Sequence, residues 1–220
     1  MLSLELAAPR DRPLSVLAVG AHPDDIEIGA GGSLLTLSEA MSERRTPLDV
    51  RYVVLTGTAE RHTEARNAAA AFLPGADVVV ELYELPEGRF PAVWESVKNT
   101  LETVKAAGTP DLIIGPSRRD AHQDHRTIAE IMPTVFRDSL TIEYEIPKWD
   151  GDLGRPSLYV PFPAETMRRK IELLHKCFPS QRFRDWWDDE VFAGLARLRG
   201  MECRAPYAEA FHSTKTMLRF

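Results

Sequence analysis

Short apolar runs alternate with helical patterns along the first two-thirds of the chain. The continuous run LSVLAV (14–19) reads as a strand buried on both faces, and IGAGGSLLTLSEAMSER (28–44) as the helix behind it. VRYVVLT (50–56) is a second strand, and the alanine-rich stretch 60–73 a second helix stopped by Pro74-Gly75. ADVVVEL (76–82) and DLIIGP (111–116) give two more strands, with a helix over 91–107 between them. A helix over 124–138, bent at Pro133, follows. This alternation predicts βαβ units and an α/β fold on a mostly parallel sheet. Beyond residue 139 the pattern loosens. TIEYEIP and SLYVPFP read as strands either side of the polar loop KWDGDLGRP, with helices over 164–177 and 184–199 and the short run YAEAF after them. One domain over 1–220 is expected, with a core at about 14–138 and a C-terminal helical and strand cap at about 139–220.

Composition narrows the partners. A chain of 220 residues suffices for one α/β domain with a full core. A net charge of −6 argues against a nucleic-acid binder that works by neutralising phosphates. Cys177 and Cys203 form no CxxC pattern and fit free thiols in a reducing compartment. The opening residues lack a charged segment leading into a long apolar one, and no stretch reaches the length of a membrane span. The expectation is a cytoplasmic protein without nucleic-acid or membrane partners, with a homo-oligomer left open.

Chemistry concentrates at two strand tips. AHPDD follows the first strand and SRRDAHQDH the fourth, and ligands of open parallel sheets bind at the carboxyl ends of strands. Folding alone gives little reason to place His22, Asp24 and Asp25 together there; a cation does. His122, Asp124 and His125 supply the second cluster. Imidazole and carboxylate ligands suit zinc, and a catalytic site keeps one position open for water. His22 and Asp25 are spaced to share an ion in a tight loop. A separation of three places His122 and His125 on neighbouring sides of a helix's first turn, so that one can ligate while the other faces substrate. Each motif alone is common by chance, and Asp124 alone suits a helix N-terminus. Their coincidence at adjacent tips favours a metal site.

AHPDDIEIGAGG together with PDLIIGPSRRDAHQDHR resembles the LmbE-like, PIG-L-type family of metal-dependent N-acetyl-sugar deacetylases, over residues 14 to 138. The resemblance implies a Rossmann-like three-layer fold with zinc on His22, Asp25 and His125, other divalent ions such as Fe2+ being compatible. It also implies Asp24 as general base, His122 as oxyanion stabiliser or proton donor to the leaving amine, and Asp124 as the group orienting His122 and raising its pKa. The chain departs from many members in having Ile26 after the paired aspartates and Gln123 inside the second motif, which bears on subfamily and substrate. The expected activity is hydrolytic removal of an N-acetyl group from a small-molecule amino sugar or glycoside. The rivals are an amidase acting on a non-sugar amide and a metal-bearing binding protein without turnover.

Weaker signals remain. Gly29, Gly31 and Gly32 lack dinucleotide spacing and suit close helix packing. Arg118 is a candidate for binding an anionic substrate group. Arg61 and Glu64 match an RxxE pattern that often follows the second strand in the family resembled, and they also have the spacing of a surface ion pair; His62 is expected to be exposed, and Trp149 could stack on a sugar ring. Glu209 is a structural residue unless it approaches the site.

Overall fold

A computed structural model describes residues 3–9 and 11–217. Strand β1 (Leu14–Gly20) is central because its residues are almost wholly buried and it pairs in parallel with β2 (Leu48–Val54) on one side and β4 (Leu112–Pro116) on the other. β3 (Asp77–Leu82) extends the sheet beyond β2, and β5 (Leu140–Tyr144) beyond β4, all in parallel. β7 (Tyr207–His212) joins β5 antiparallel, and β6 (Leu158–Phe162) pairs antiparallel with β7. The order is β3-β2-β1-β4-β5-β7-β6. The strands contributed by residues beyond 139 therefore lie in the same sheet as the first four.

Alternate β1 residues serve two cores. Val16 and Ala18 face the layer of α1 (Asp25–Glu43), α2 (Ala59–Phe72) and α5 (Ala164–Cys177), while Leu17 and Val19 face α3 (Trp94–Ala106) and α4 (Gln123–Val135). The result is a three-layer, Rossmann-like α/β fold, with α6 (Asp189–Cys203) packed along β7. None of the described helices is long and apolar enough to cross a membrane.

The helical glycines serve packing. A Cβ on Gly29 would stand 2.5 Å from the Tyr144 ring, and one on Gly32 2.6 Å from the Phe162 ring, so α1 can seat on β5 and β6 only with glycine there. Glu209 closes the same contact: its carboxylate accepts from the N–H groups of Gly32 and Ser33 (2.8 and 2.7 Å) and pairs with Lys170 (2.6 Å).

Several boundaries differ from expectation for local reasons. α1 starts at Asp25, so the first motif enters the helix itself. α6 starts at Asp189 because the Asp188 side chain caps it, accepting from the N–H groups of Glu190 and Val191. Pro133 falls in the last turn of α4, where it has no N–H to give to Ala129; that carbonyl accepts instead from Arg118 Nε at 3.1 Å. Both cysteines are free.

Candidate metal centre

β1 and β4 are neighbours, and their connections leave in opposite directions across the sheet, α1 towards β2 and α4 towards β5. The loops after these two strands therefore face each other across the switch point. His22, Asp24 and Asp25 come from the first loop and the start of α1; His122, Asp124 and His125 come from the second loop and the start of α4.

Three atoms from the two loops form a compact triangle. His22 Nδ1 lies 3.2 Å from His125 Nε2 and 3.4 Å from Asp25 Oδ2, and His125 Nε2 lies 3.1 Å from the same oxygen. Ligands held about 2.1 Å from one ion stand about 3.4 Å apart in tetrahedral geometry and about 3.0 Å apart in octahedral geometry. Two imidazoles and a carboxylate at these separations fit a divalent ion. The ring nitrogens of His22, His122 and His125 also cluster, within 4.8 Å of one another. That set is looser, and His122 Nδ1 already accepts from the Asp124 N–H at 3.3 Å, capping α4.

Each of the two imidazoles in the triangle meets a carboxylate at its far nitrogen. His125 Nδ1 is hydrogen-bonded to Asp120 Oδ2 at 2.8 Å, whereas His22 Nε2 lies 3.4 Å from Asp124 Oδ2 in a charge contact that leaves the nitrogen without a hydrogen bond. Such partners orient ligating histidines and fix their tautomer. Asp120 was not among the residues singled out from sequence; its position two before His122, where its Oδ1 accepts the His122 N–H at 2.7 Å, is the signal of a turn-forming aspartate. The Asp124 carboxylate is held by the N–H groups of Gly88 (2.6 Å) and Phe90 (3.0 Å). Gln123, one of the two departures from the family pattern, donates to the Gly88 carbonyl at 3.2 Å and fastens the same loop.

The expected link between Asp124 and His122 takes a different form. Among the described residues no carboxylate pairs with the His122 ring, because Asp124 is occupied by the 88–90 loop and His22. Burial and the neighbouring His125 and His22 charges lower the His122 pKa, and the opposing effect of Asp124 does not reverse this. With Nδ1 accepting a helix N–H, the neutral ring carries its proton on Nε2.

Asp24 is buried at the foot of α1, with φ of 141°, a conformation that costs a non-glycine residue about 1–3 kcal/mol. Burial pushes its carboxyl up to about 7, against the pull of Arg61. Arg61 is thus no surface residue. Its guanidinium is 2.9 Å from Asp24 Oδ2, donates to the Pro23 carbonyl, and pairs with Glu64 at 2.7 Å. Glu64 in turn accepts from the Ser180 N–H at 2.8 Å. His62 is buried rather than exposed, against the carbonyls of Thr56 and Tyr83. Burial opposes a carboxylate at Asp25, but the His125 and His22 charges win and hold it well below the usual range.

Arg118 is not brought to the cluster. Its side chain bonds Ala129 and lies 3.7 Å from Glu143, supporting α4 and β5. Trp149 is 75% exposed on the 145–157 loop, and Glu209 belongs to the α1 contact described above.

Fold and site together define an α/β protein with a candidate divalent-metal centre at its switch point. The chain belongs to the PIG-L: GlcNAc-PI de-N-acetylase family, whose match covers residues 17–136. It is 36% identical over 75 residues to the uncharacterized deacetylase YaiS of Escherichia coli (strain K12), a match spanning 31% of this chain and 37% of that relative. Its fold resembles N,N'-diacetylchitobiose deacetylase from Pyrococcus horikoshii, with a TM-score of 0.69, 19% identity and coverage of 91% of this chain and 84% of that one. It also resembles GalB, the 4-carboxy-2-hydroxymuconate hydratase from Pseudomonas putida KT2440, with a TM-score of 0.72, 17% identity and coverage of 94% and 98%. At these identities the two likenesses establish fold alone, and their different names show that the fold does not by itself fix the reaction.

Proposed function

We propose that the protein is a metal-dependent N-deacetylase, hydrolysing the amide of an N-acetylated amino sugar or glycoside, with His22, Asp25 and His125 holding the ion and zinc as the first candidate. The observation that carries this reading is the triangle of His22 Nδ1, Asp25 Oδ2 and His125 Nε2, with a buried carboxyl of raised pKa, Asp24, in the same loop. Family membership and the deacetylase name of YaiS support the reaction type.

A divalent ion held by His22, Asp25 and His125 would supply Lewis acidity to the amide carbonyl and to the attacking water. Asp24 takes that water's proton; Arg61 occupies its Oδ2, and among the described residues nothing hydrogen-bonds Oδ1. Asp24 can then return the proton to the departing amine nitrogen. His122 donates from Nε2 to the developing oxyanion as a neutral ring, without needing a positive charge. Asp124 and Asp120 hold the imidazoles of His22 and His125 in place.

Metal content and acetate release from N-acetylglucosamine conjugates test the proposal together. Asp24→Asn is expected to retain metal and lose about 10²-fold or more in kcat, whereas His125→Ala is expected to lose the metal. Equal metal loss in both variants refutes the division of roles. Acetate release also separates this reaction from hydration, the activity in GalB's name, in which no acyl group departs.

A further inference from the structure

The loop between β5 and β6 crosses the rim of the metal centre. Lys148 Nζ is 3.0 Å from Asp120 Oδ1 and 2.6 Å from Asp152 Oδ2. Asp152 Oδ2 also accepts the Ala121 N–H at 2.5 Å, so both ends of the short segment 148–152 are fastened to the 120–122 turn. The other oxygen of Asp120 is the one that meets His125 Nδ1, at 2.8 Å. An unbroken line therefore runs from the loop ammonium through Asp120 to the imidazole whose Nε2 belongs to the triangle. The side chain of Asp120 is 3% exposed and that of Lys148 15%, so water screens this contact little.

We infer that Lys148 is a positioning residue of the metal centre. By closing the loop onto Asp120 it fixes the carboxylate that aims His125, and it couples loop docking to metal affinity. The inference rests on His125 being a ligand, as proposed above. Without the ammonium, Asp120 Oδ1 keeps only the His122 N–H, and the carboxylate is held less firmly against His125. A lysine serving the loop alone has no such effect on the ion.

The test is a double-mutant cycle read as zinc affinity by chelator competition, with the melting temperature of the metal-free protein measured alongside. Losing a direct carboxylate partner of a ligating histidine costs about 10–100-fold in affinity, so Asp120→Asn is expected to fall in that range and Lys148→Met, one contact further out, to weaken binding about three- to tenfold. In the Asp120→Asn background, Lys148→Met is expected to change affinity less than about twofold, the signature of action through Asp120. Lys148→Gln repeats the measurement if the methionine variant folds poorly. Unchanged affinity in Lys148→Met with a lowered melting temperature overturns the inference, as does an equal loss in both backgrounds. Failure of the metal reading looks different: wild type then binds no zinc, or His125→Ala binds it undiminished, and the inference falls with that reading.

Discussion

At the scale of single residues, the metal-free centre is a set of charges that want a cation. Burial lowers the pKa of His125, yet Asp25 and Asp120 outweigh it and raise the imidazole to about 9; His22 is likewise raised well above its usual value by Asp25 and Asp124 against burial. In the metal-free protein the pair therefore holds protons more tightly than free imidazoles do, and for His125 this contributes stability that is present below the unfolded value of 6.5 and lost as pH rises through about 9. A metal ion must displace those protons. Zinc affinity is accordingly expected to rise steeply between pH 6.5 and 8.5, by up to about tenfold per pH unit for each proton released. Calorimetric titration in buffers of different ionisation enthalpy counts the protons, and binding that releases none contradicts the assignment of His22 and His125. The clustering of these residues was legible because HxxD and HxxH each followed an apolar strand. Asp120, Lys148 and the contact from Arg61 to Asp24 were not, since each depends on which loops the sheet order brings together.

At the scale of elements, α1 carries an expensive group where it packs against β2. Glu27 is fully buried, accepts from the Tyr52 hydroxyl at 2.7 Å through Oε1, and leaves Oε2 without a partner. Burial raises its carboxyl from 4.5 to about 8, against the Tyr52 hydrogen bond. Between these values the folded protein keeps a proton that the unfolded chain has lost, so stability falls as pH rises, by about 1.4 kcal/mol per pH unit at most. Glu27→Gln keeps the acceptor for Tyr52 and removes the titration. Its stability relative to wild type, from urea unfolding of metal-free protein, is expected to improve from pH 5 to pH 8.5 by as much as about 4 kcal/mol. Parallel pH profiles would exclude this role for Glu27. The helices and strands of the first two-thirds were readable because buried parallel strands are continuous apolar runs, as in LSVLAV and DLIIGP. The start of α6 was not: Trp186 and Trp187 continue the apolar pattern, but Trp187 packs against Phe178 and Phe192 from a turn, and the Asp188 cap sets the helix boundary.

At the scale of the whole molecule, the centre ties together parts of the chain that local structure keeps apart. His22 and Asp25 stand at the tip of β1 and the foot of α1, and His125 in α4; their neighbours Asp124 and Asp120 fasten the 88–90 loop and the β5–β6 loop. An ion gripping the triangle binds the folded state and not the unfolded chain, where these residues are a hundred positions apart. Free metal at a hundredfold excess over Kd then stabilises by about 2.7 kcal/mol, and in a chain of this size each kcal/mol moves the midpoint about 2–4 °C. Zinc is therefore expected to raise the melting temperature by roughly 5–10 °C, and a chelator to return it. His22→Ala and Asp25→Ala should abolish the rise, because each removes one corner of the triangle, whereas Asp24→Asn should preserve it, because the proposed mechanism gives Asp24 the proton and not the ion. A rise that survives loss of His22 would mean the stabilising ion sits elsewhere, and the switch point would lose its claim to the chemistry.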